Sequence, residues 1–217
     1  MNTANTSIER IGIFGGSFNP PTQTHLMLAE HLIGRYVDRV LFLPVGDTYV
    51  KPELIEASHR LRMLELVTQD NPSFALSDLE IRSDKANYTY DSLMTLQECY
   101  PHASLFFLMG SDQLPALSTW YRGETLLQTF HFILLVRAED EPEELFRADP
   151  WLLRFRDRFH ISIDHPRSNL SSHMIRRRIA AGESIRYLVE PCIIDYIATH
   201  GLYRSYHSET ALGGLGE

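Results

Sequence analysis

Residues 11–25 read IGIFGGSFNPPTQTH, and the order of events along them decides the fold. A short apolar run at 11–14 meets two glycines and then two prolines. The following segment, 22–36, has helical spacing, with Leu28, Ala29, Leu32 and Ile33 as its apolar stripe. Strand, glycine turn and helix N-terminus together make an anion site. Glycines let backbone amides come close to a phosphate, and the unpaired N–H groups and dipole of the helix face it. His25, in the first helical turn, adds a side-chain donor at the same place. The turn is not a Walker loop, because no Gly-Lys-Ser/Thr follows. Nor is it the dinucleotide fingerprint, because the Gly-x-Gly-x-x-Gly spacing is absent. Taken alone, Gly15-Gly16 fits a ligand-free α/β protein as well as a phosphate binder.

The alternation continues along the chain. Segments 40–45, 74–79, 104–109, 132–136 and 159–163 read as strands, and 58–69, 90–99, 124–127, 172–181 and 191–200 as helices. The run SLFFLM at 104–109 is apolar without interruption, which suits a parallel strand covered on both faces. Strands alternating with helices predict a doubly wound, mainly parallel sheet with helices on both faces. One domain over 10–204 is expected, between loose tails at 1–9 and 205–217, with the acidic segment 138–150 as a surface insertion. Ligands of such folds sit beyond the carboxyl ends of the strands. Gly15-Gly16, the stretch from Pro44 onward and Gly110-Ser111-Asp112 all follow strands directly, so they should share one cleft.

Composition narrows the function. The chain has 217 residues, 44% apolar, with a net charge of −8. That charge argues against sequence-independent nucleic-acid binding, which needs a basic surface. It leaves room for an anionic small ligand, since a local cluster can oppose the global field. The clusters are Arg176-Arg177-Arg178 and a looser group of Lys51, His59, Arg60 and Arg62. No apolar run approaches the roughly 18 residues of a membrane span. The N-terminal MNTANTSIER lacks a signal-peptide core. Cys99 and Cys192 have no metal-ligand spacing, so reduced thiols in a cytoplasmic protein are expected.

The whole string GGSFNPPTQTH resembles the first signature of the nucleotidylyltransferase superfamily, a glycine-glycine turn followed by (His/Thr)-x-Gly-His. Here the tetrad reads Thr22-Gln23-Thr24-His25. Ser171-Ser172-His173-Met174-Ile175-Arg176 resembles the second signature, Ser-Ser-Thr-x-Ile-Arg. GSDQLPALSTWYRGETLL, at 110–127, is similar to the Gly-x-Asp…Trp-Tyr segment of bacterial nicotinate-nucleotide adenylyltransferases. NYTYDSL at 87–93 is similar to the Ser-Tyr-Thr segment of that family, and SHRLRML at 58–64 and HGLY at 200–203 also match.

The resemblance implies a Rossmann-like fold and an enzyme of NAD biosynthesis that transfers AMP from ATP to nicotinate mononucleotide, releasing pyrophosphate. It implies catalytic roles for His25, Lys51 and Arg176. Nucleotide contacts would come from Gly15, Gly16, Ser17, Phe18, Thr22, Gly110, Ser171 and Ser172, with Asp112 on the ribose. Trp120 would stack on the pyridine, helped by Tyr88, Thr89 and Tyr121. Helical geometry sets Arg176, Arg177 and Arg178 about 100° apart, so spacing does not choose among them; the resemblance chooses Arg176. Ser171 and Ser172 also serve as N-caps, a role compatible with phosphate contact.

The implied chemistry suits these residue types. A phosphate monoester is already an anionic nucleophile, so no catalytic serine, cysteine or strong base is required. Positioning and charge stabilisation on the leaving pyrophosphate are required. Magnesium would arrive mainly on the nucleotide, with no dedicated protein site. A cation at a helix N-terminus is disfavoured, so His25 should be mostly neutral when the site is empty.

Three positions depart from the family pattern: Thr24 in place of glycine, Val50 in place of the histidine of a Pro-His-Lys loop, and His173 in place of threonine. The alternatives are a related enzyme with another phosphorylated acceptor or with CTP, and a non-catalytic nucleotide-binding protein. No nucleic-acid or membrane partner is expected. The sequence leaves the oligomeric state open, a homodimer included.

Overall fold

The structure is a computed structural model that describes residues 8–49, 53–137 and 139–205. The chain opens with β1 (Arg10–Gly16), α1 (Gln23–Leu32), β2 (Arg39–Pro44), α2 (Ala57–Thr68), β3 (Phe74–Leu76) and α3 (Thr89–Cys99). It continues through β4 (Ser104–Gly110), a 3-10 segment (Ser111–Thr119), α4 (Gly123–Thr129) and β5 (His131–Leu135). Then come α5 (Pro142–Ala148), α6 (Pro150–Leu153), β6 (Phe159–Ser162), α7 (Ser172–Ala180) and α8 (Pro191–His200).

Six strands form one sheet in the order β3-β2-β1-β4-β5-β6, and every neighbouring pair is parallel. This is the doubly wound order. After β1 the chain builds outward through β2 and β3, then returns to lay β4 on the other side of β1. The loops leaving β1 and β4 therefore part company, and a crevice opens between them. The register sets Gly15 beside Leu43 and Gly16 beside Pro44, so the glycine turn and the loop after β2 leave the sheet at one level.

The apolar run of β4 explains itself in the packing. Leu105, Phe107 and Met109 join a cluster with Ile11, Leu43, Leu93 and Phe132, while Phe106 and Leu108 join another with Ala29, Leu32, Phe42 and Ile133. Both faces of the strand are covered. Each fully buried side chain of this size contributes about 1.5–3 kcal/mol of transfer free energy. A third cluster, with Met63, Ile175, Ile193 and Ile197, fastens α7 and α8 to α2. It fixes the place of the second signature.

Several boundaries differ from the sequence reading. The first helix ends at Leu32 rather than at residue 36, because Gly34 takes a left-handed turn with φ +75° and Val37 dives into the core. β3 stops at Leu76, after which the chain turns and Glu80 faces inward. Residues 111–119 wind as a 3-10 segment that the apolar spacing does not announce. The acidic stretch after residue 138 is not a surface insertion. It folds into α5 and α6, and Phe146 and Leu152 enter the core. Glu9 is not a loose tail residue: its carbonyl accepts from the Ser104 amide at 2.8 Å and its carboxylate pairs with Arg39 at 3.0 Å. Of the expected tails, 1–7 and 206–217 lie outside the described residues.

Candidate active site

The turn after β1 carries the first signature. Gly15, Gly16 and Ser17 line a cleft of about 360 Å³, together with Gly46, Thr89 and Trp120. Gly46 is a requirement of backbone proximity. A Cβ there would stand 2.1 Å from the Glu80 carbonyl oxygen, so the loop after β2 can press against the 80s loop only as glycine. Phe18 sits at φ +46° and is 1% exposed. Its ring packs against Phe14, His25 and Phe42, and Phe18 is not among the residues that line the cleft.

His25 stands in the first turn of α1 with its ring 5.9 Å from Phe14 and 5.1 Å from Phe18. The Thr22 backbone N–H donates to its Nδ1 at 2.9 Å, and the Thr22 hydroxyl lies 2.8 Å from the same atom. An Nδ1 that accepts carries no proton, so the neutral ring must hold its hydrogen on Nε2. Burial lowers its pKa to about 4. The expectation of a neutral histidine therefore holds, but through desolvation rather than through the helix dipole.

The second signature meets the first directly. Ser171 caps α7, its Oγ accepting from the Met174 amide at 3.2 Å. Ser172 Oγ donates to the Pro20 carbonyl at 2.7 Å. Arg176, 6% exposed, donates to the Asn19 carbonyl at 2.8 Å and pairs with Glu53 at 3.3 Å. Residues more than 150 positions apart are thus locked at one point. Lys51 and Val50 lie outside the described residues.

Sequence reasoning passed over two residues at this junction. The Asn19 side chain accepts from the Tyr203 hydroxyl at 2.9 Å and donates to the Glu53 carbonyl at 2.9 Å. Arg60 is fully buried. Its guanidinium donates to the carbonyls of Ile55 at 2.9 Å, Val45 at 2.7 Å and Ser17 at 3.2 Å, and to the Asp47 carboxylate at 3.3 Å. One cation ties the turn after β1 to the loop after β2. The sequence signals were the match of SHRLRML, which assigned Arg60 no task, and its place in a loose basic group read as facing an anionic ligand; it bonds backbone carbonyls and Asp47 instead.

The far end of the cleft is aromatic and polar. Trp120 meets Phe107 edge-on at 6.3 Å, and Thr89, Asn87 and Ser92 share the wall. Glu80 also lines it, nearly buried, accepting from Ser92 Oγ at 2.6 Å. Burial pushes its carboxyl above the usual range. Tyr88 and Tyr121 are brought together, stacked at 4.5 Å, but they are 51% and 43% exposed and stand outside the cleft lining. Gly110 ends β4, and Asp112 pairs with Arg137 at 2.9 Å rather than facing this cleft.

A second cavity, of about 350 Å³, opens between the first turn of α1 and the loops that follow β5 and β6. Thr24, Leu28, Val136, Arg137, His165 and Asn169 are among its walls. Ser111 Oγ, bonded to Asp140, also accepts from the Arg137 amide at 3.0 Å and steadies this rim. One cavity is thus lined by the glycine turn and the other by Thr24, the neighbour of His25. Among the described residues, no group of three or more His, Cys, Asp or Glu could hold a metal ion, and no helix is long and apolar enough to cross a membrane.

The described geometry has counterparts among known proteins. Residues 13–178 match the family model described as cytidylyltransferase-like. A relative from Lachnoclostridium phytofermentans, named "Probable nicotinate-nucleotide adenylyltransferase", is 33% identical over 90% of this chain and 100% of its own length. The nicotinate-nucleotide adenylyltransferase of Bacillus subtilis is 32% identical over 91% of this chain and 100% of its own length. Among solved structures, the nicotinic acid mononucleotide adenylyltransferase of Plasmodium falciparum, complexed with NaAD, is similar with a TM-score of 0.70 and 25% identity. The likeness covers 90% of this chain and 97% of that one.

Proposed function

This chain belongs to the cytidylyltransferase-like family and, within it, to the nicotinate-nucleotide adenylyltransferases, and we propose that it transfers the adenylyl group of ATP to nicotinate mononucleotide. A 5′-phosphate oxygen of the mononucleotide attacks the α-phosphorus of ATP. The new P–O–P bond forms as the bond from the α-phosphorus to the bridging oxygen breaks, and pyrophosphate leaves with that electron pair. Magnesium accompanies the triphosphate as part of the substrate.

The junction of the two signatures carries this reading. Ser172 on Pro20 and Arg176 on Asn19 hold α7 against the turn that leads into His25. The neutral His25 offers an Nε2–H donor, which suits a developing negative charge on the transferring phosphate. Arg176 and Lys51 supply positive charge for the leaving pyrophosphate, and the amides of Gly15, Gly16 and Ser17 cradle phosphate oxygens. Trp120 and Thr89 take the pyridine in the 360 Å³ cleft, with Tyr88 and Tyr121 closing its rim. Ser171 and Ser172 present the α7 N-terminus to phosphate, and Asp112 reaches the ribose. A cytoplasmic enzyme fits ATP and a mononucleotide as substrates.

The test is pyrophosphate release over a panel of ATP, CTP and GTP with nicotinate and nicotinamide mononucleotides and other phosphorylated acceptors. Release with ATP and nicotinate mononucleotide is the expected result. Release only with another pair would overturn the substrate assignment, and binding without turnover would overturn the enzyme.

A further inference from the structure

Thr24 lies in the first turn of α1, next to His25, and its hydroxyl oxygen is buried without a hydrogen-bond partner. An unpaired buried hydroxyl is unfavourable and calls for an explanation. A helical threonine ordinarily bonds to the carbonyl three or four residues back. At Thr24 those carbonyls belong to Pro21 and Pro20, ahead of the helix, and the Pro20 carbonyl takes the Ser172 hydroxyl at 2.7 Å. Thr24 is also a wall of the 350 Å³ cavity, shared with apolar Leu28 and Val136 and with polar His165 and Asn169. The rest of the wall is mostly polar, with Arg137, Glu139 and Ser168 among it, and such a ring of donors and acceptors around a small apolar patch suits the hydroxyls and polar edges of a nucleoside. Phosphates are served elsewhere, by the glycine turn and His25.

We propose that Thr24 is a specificity-determining contact for the nucleoside part of the triphosphate donor. On binding, rotation about χ1 turns its hydroxyl from the protein into the cavity, where it hydrogen-bonds the ribose 2′-hydroxyl or the 6-amino group of the base. A helical threonine has two accessible χ1 rotamers, so the turn needs no backbone movement. The proposal rests on the reading that the chain uses a nucleoside triphosphate donor.

The test is calorimetric titration of the full chain with α,β-methylene ATP, without acceptor, comparing wild type, Thr24→Val and Thr24→Ser. Valine keeps the shape and removes the hydroxyl; thermal melting verifies that each variant is folded. The expected result is binding about five- to tenfold weaker in Thr24→Val, with Thr24→Ser within about twofold of wild type. Repeating the titrations with the 2′-deoxy analogue and the analogue lacking the 6-amino group locates the partner. The penalty of Thr24→Val should vanish with the analogue that lacks it. Equal affinity of wild type and Thr24→Val would overturn the proposal. So would a serine variant as weak as the valine one, or a penalty that persists with both analogues. Wild type that binds the analogue but releases no pyrophosphate with nicotinate mononucleotide would remove the acceptor assignment and leave the Thr24 result standing. Wild type that does not bind it would overturn both.

Discussion

The two ends of the 360 Å³ cleft are built on opposite principles. At the glycine-turn end, charged and polar groups are buried and bonded across long sequence distances: Arg60 to three carbonyls and Asp47, Asn19 to Tyr203 and Glu53, Arg176 to Asn19. At the aromatic end, Tyr88 and Tyr121 stack on each other in solvent, and Trp120 rests edge-on against Phe107. The contrast follows from what each end must do. Phosphoryl transfer needs donors fixed to within fractions of an ångström, which buried networks provide. Ring recognition needs area and tolerates movement. Changes at the first end should therefore reach stability and turnover, and changes at the second should reach substrate affinity alone.

The strongest way to break this comparison is Arg60→Met. Removing the guanidinium leaves Val45, Ser17 and Ile55 carbonyls and the Asp47 carboxylate without their donor. A loss of about 3–5 kcal/mol in urea unfolding is expected. A loss below about 1 kcal/mol would mean that the loops do not depend on this cation. Next comes His25→Ala, for which kcat should fall by about 10²–10³ while the chain still folds, as a cooperative thermal transition would show. An unchanged kcat would remove His25 from the chemistry.

The desolvated His25 also predicts a pH effect. Above pH 6.5 the ring is neutral in both folded and unfolded chains and contributes no pH dependence. Between 6.5 and about 4 the unfolded chain binds a proton that the folded site refuses, so stability falls with pH across that window. The loss from this residue alone is on the order of 3 kcal/mol. His131, His160 and His165, also lowered by burial, act in the same direction, and Glu80, raised by burial, acts against them. Comparing wild type with His25→Asn isolates the one residue: the stability gap between them should move steadily against wild type from pH 7 to pH 4. A gap independent of pH would show that the ring titrates normally. The smallest effect belongs to the other end. Trp120→Ala should raise KM for the mononucleotide up to about tenfold with kcat within a factor of a few. A fall in kcat as large as that of His25→Ala would erase the distinction between the two ends.

The same contrast explains what could be read from the sequence. The glycine turn and the apolar run of 104–109 advertise themselves, because a strand covered on both faces leaves no polar alternation and its exit needs a special turn. The two signatures were legible as motifs. Arg60 and Asn19 were not, since their partners are mostly backbone carbonyls of distant loops, and a carbonyl has no identity in sequence. Arg60 reads in the sequence as one member of a loose basic group with Lys51, His59 and Arg62, with nothing to single it out. The acidic segment misled for a related reason: its charges faced water as composition suggested, yet Phe146 and Leu152 between them were enough to anchor two short helices. Tyr88 and Tyr121 were found as residues, but their place at the rim depends on how two loops meet.

Tyr203, whose hydroxyl bonds Asn19 across 184 residues, has a consequence for how the protein comes into being. A ribosome delivers the glycine turn well before the HGLY segment. The strands can pair as they emerge, but Asn19 meets Tyr203 only once α8 and the residues after it have cleared the exit tunnel. A truncated or still-tethered chain therefore carries the first signature without the clasp that sets it. The turn is fully clasped only after the segment that carries Tyr203 has been made.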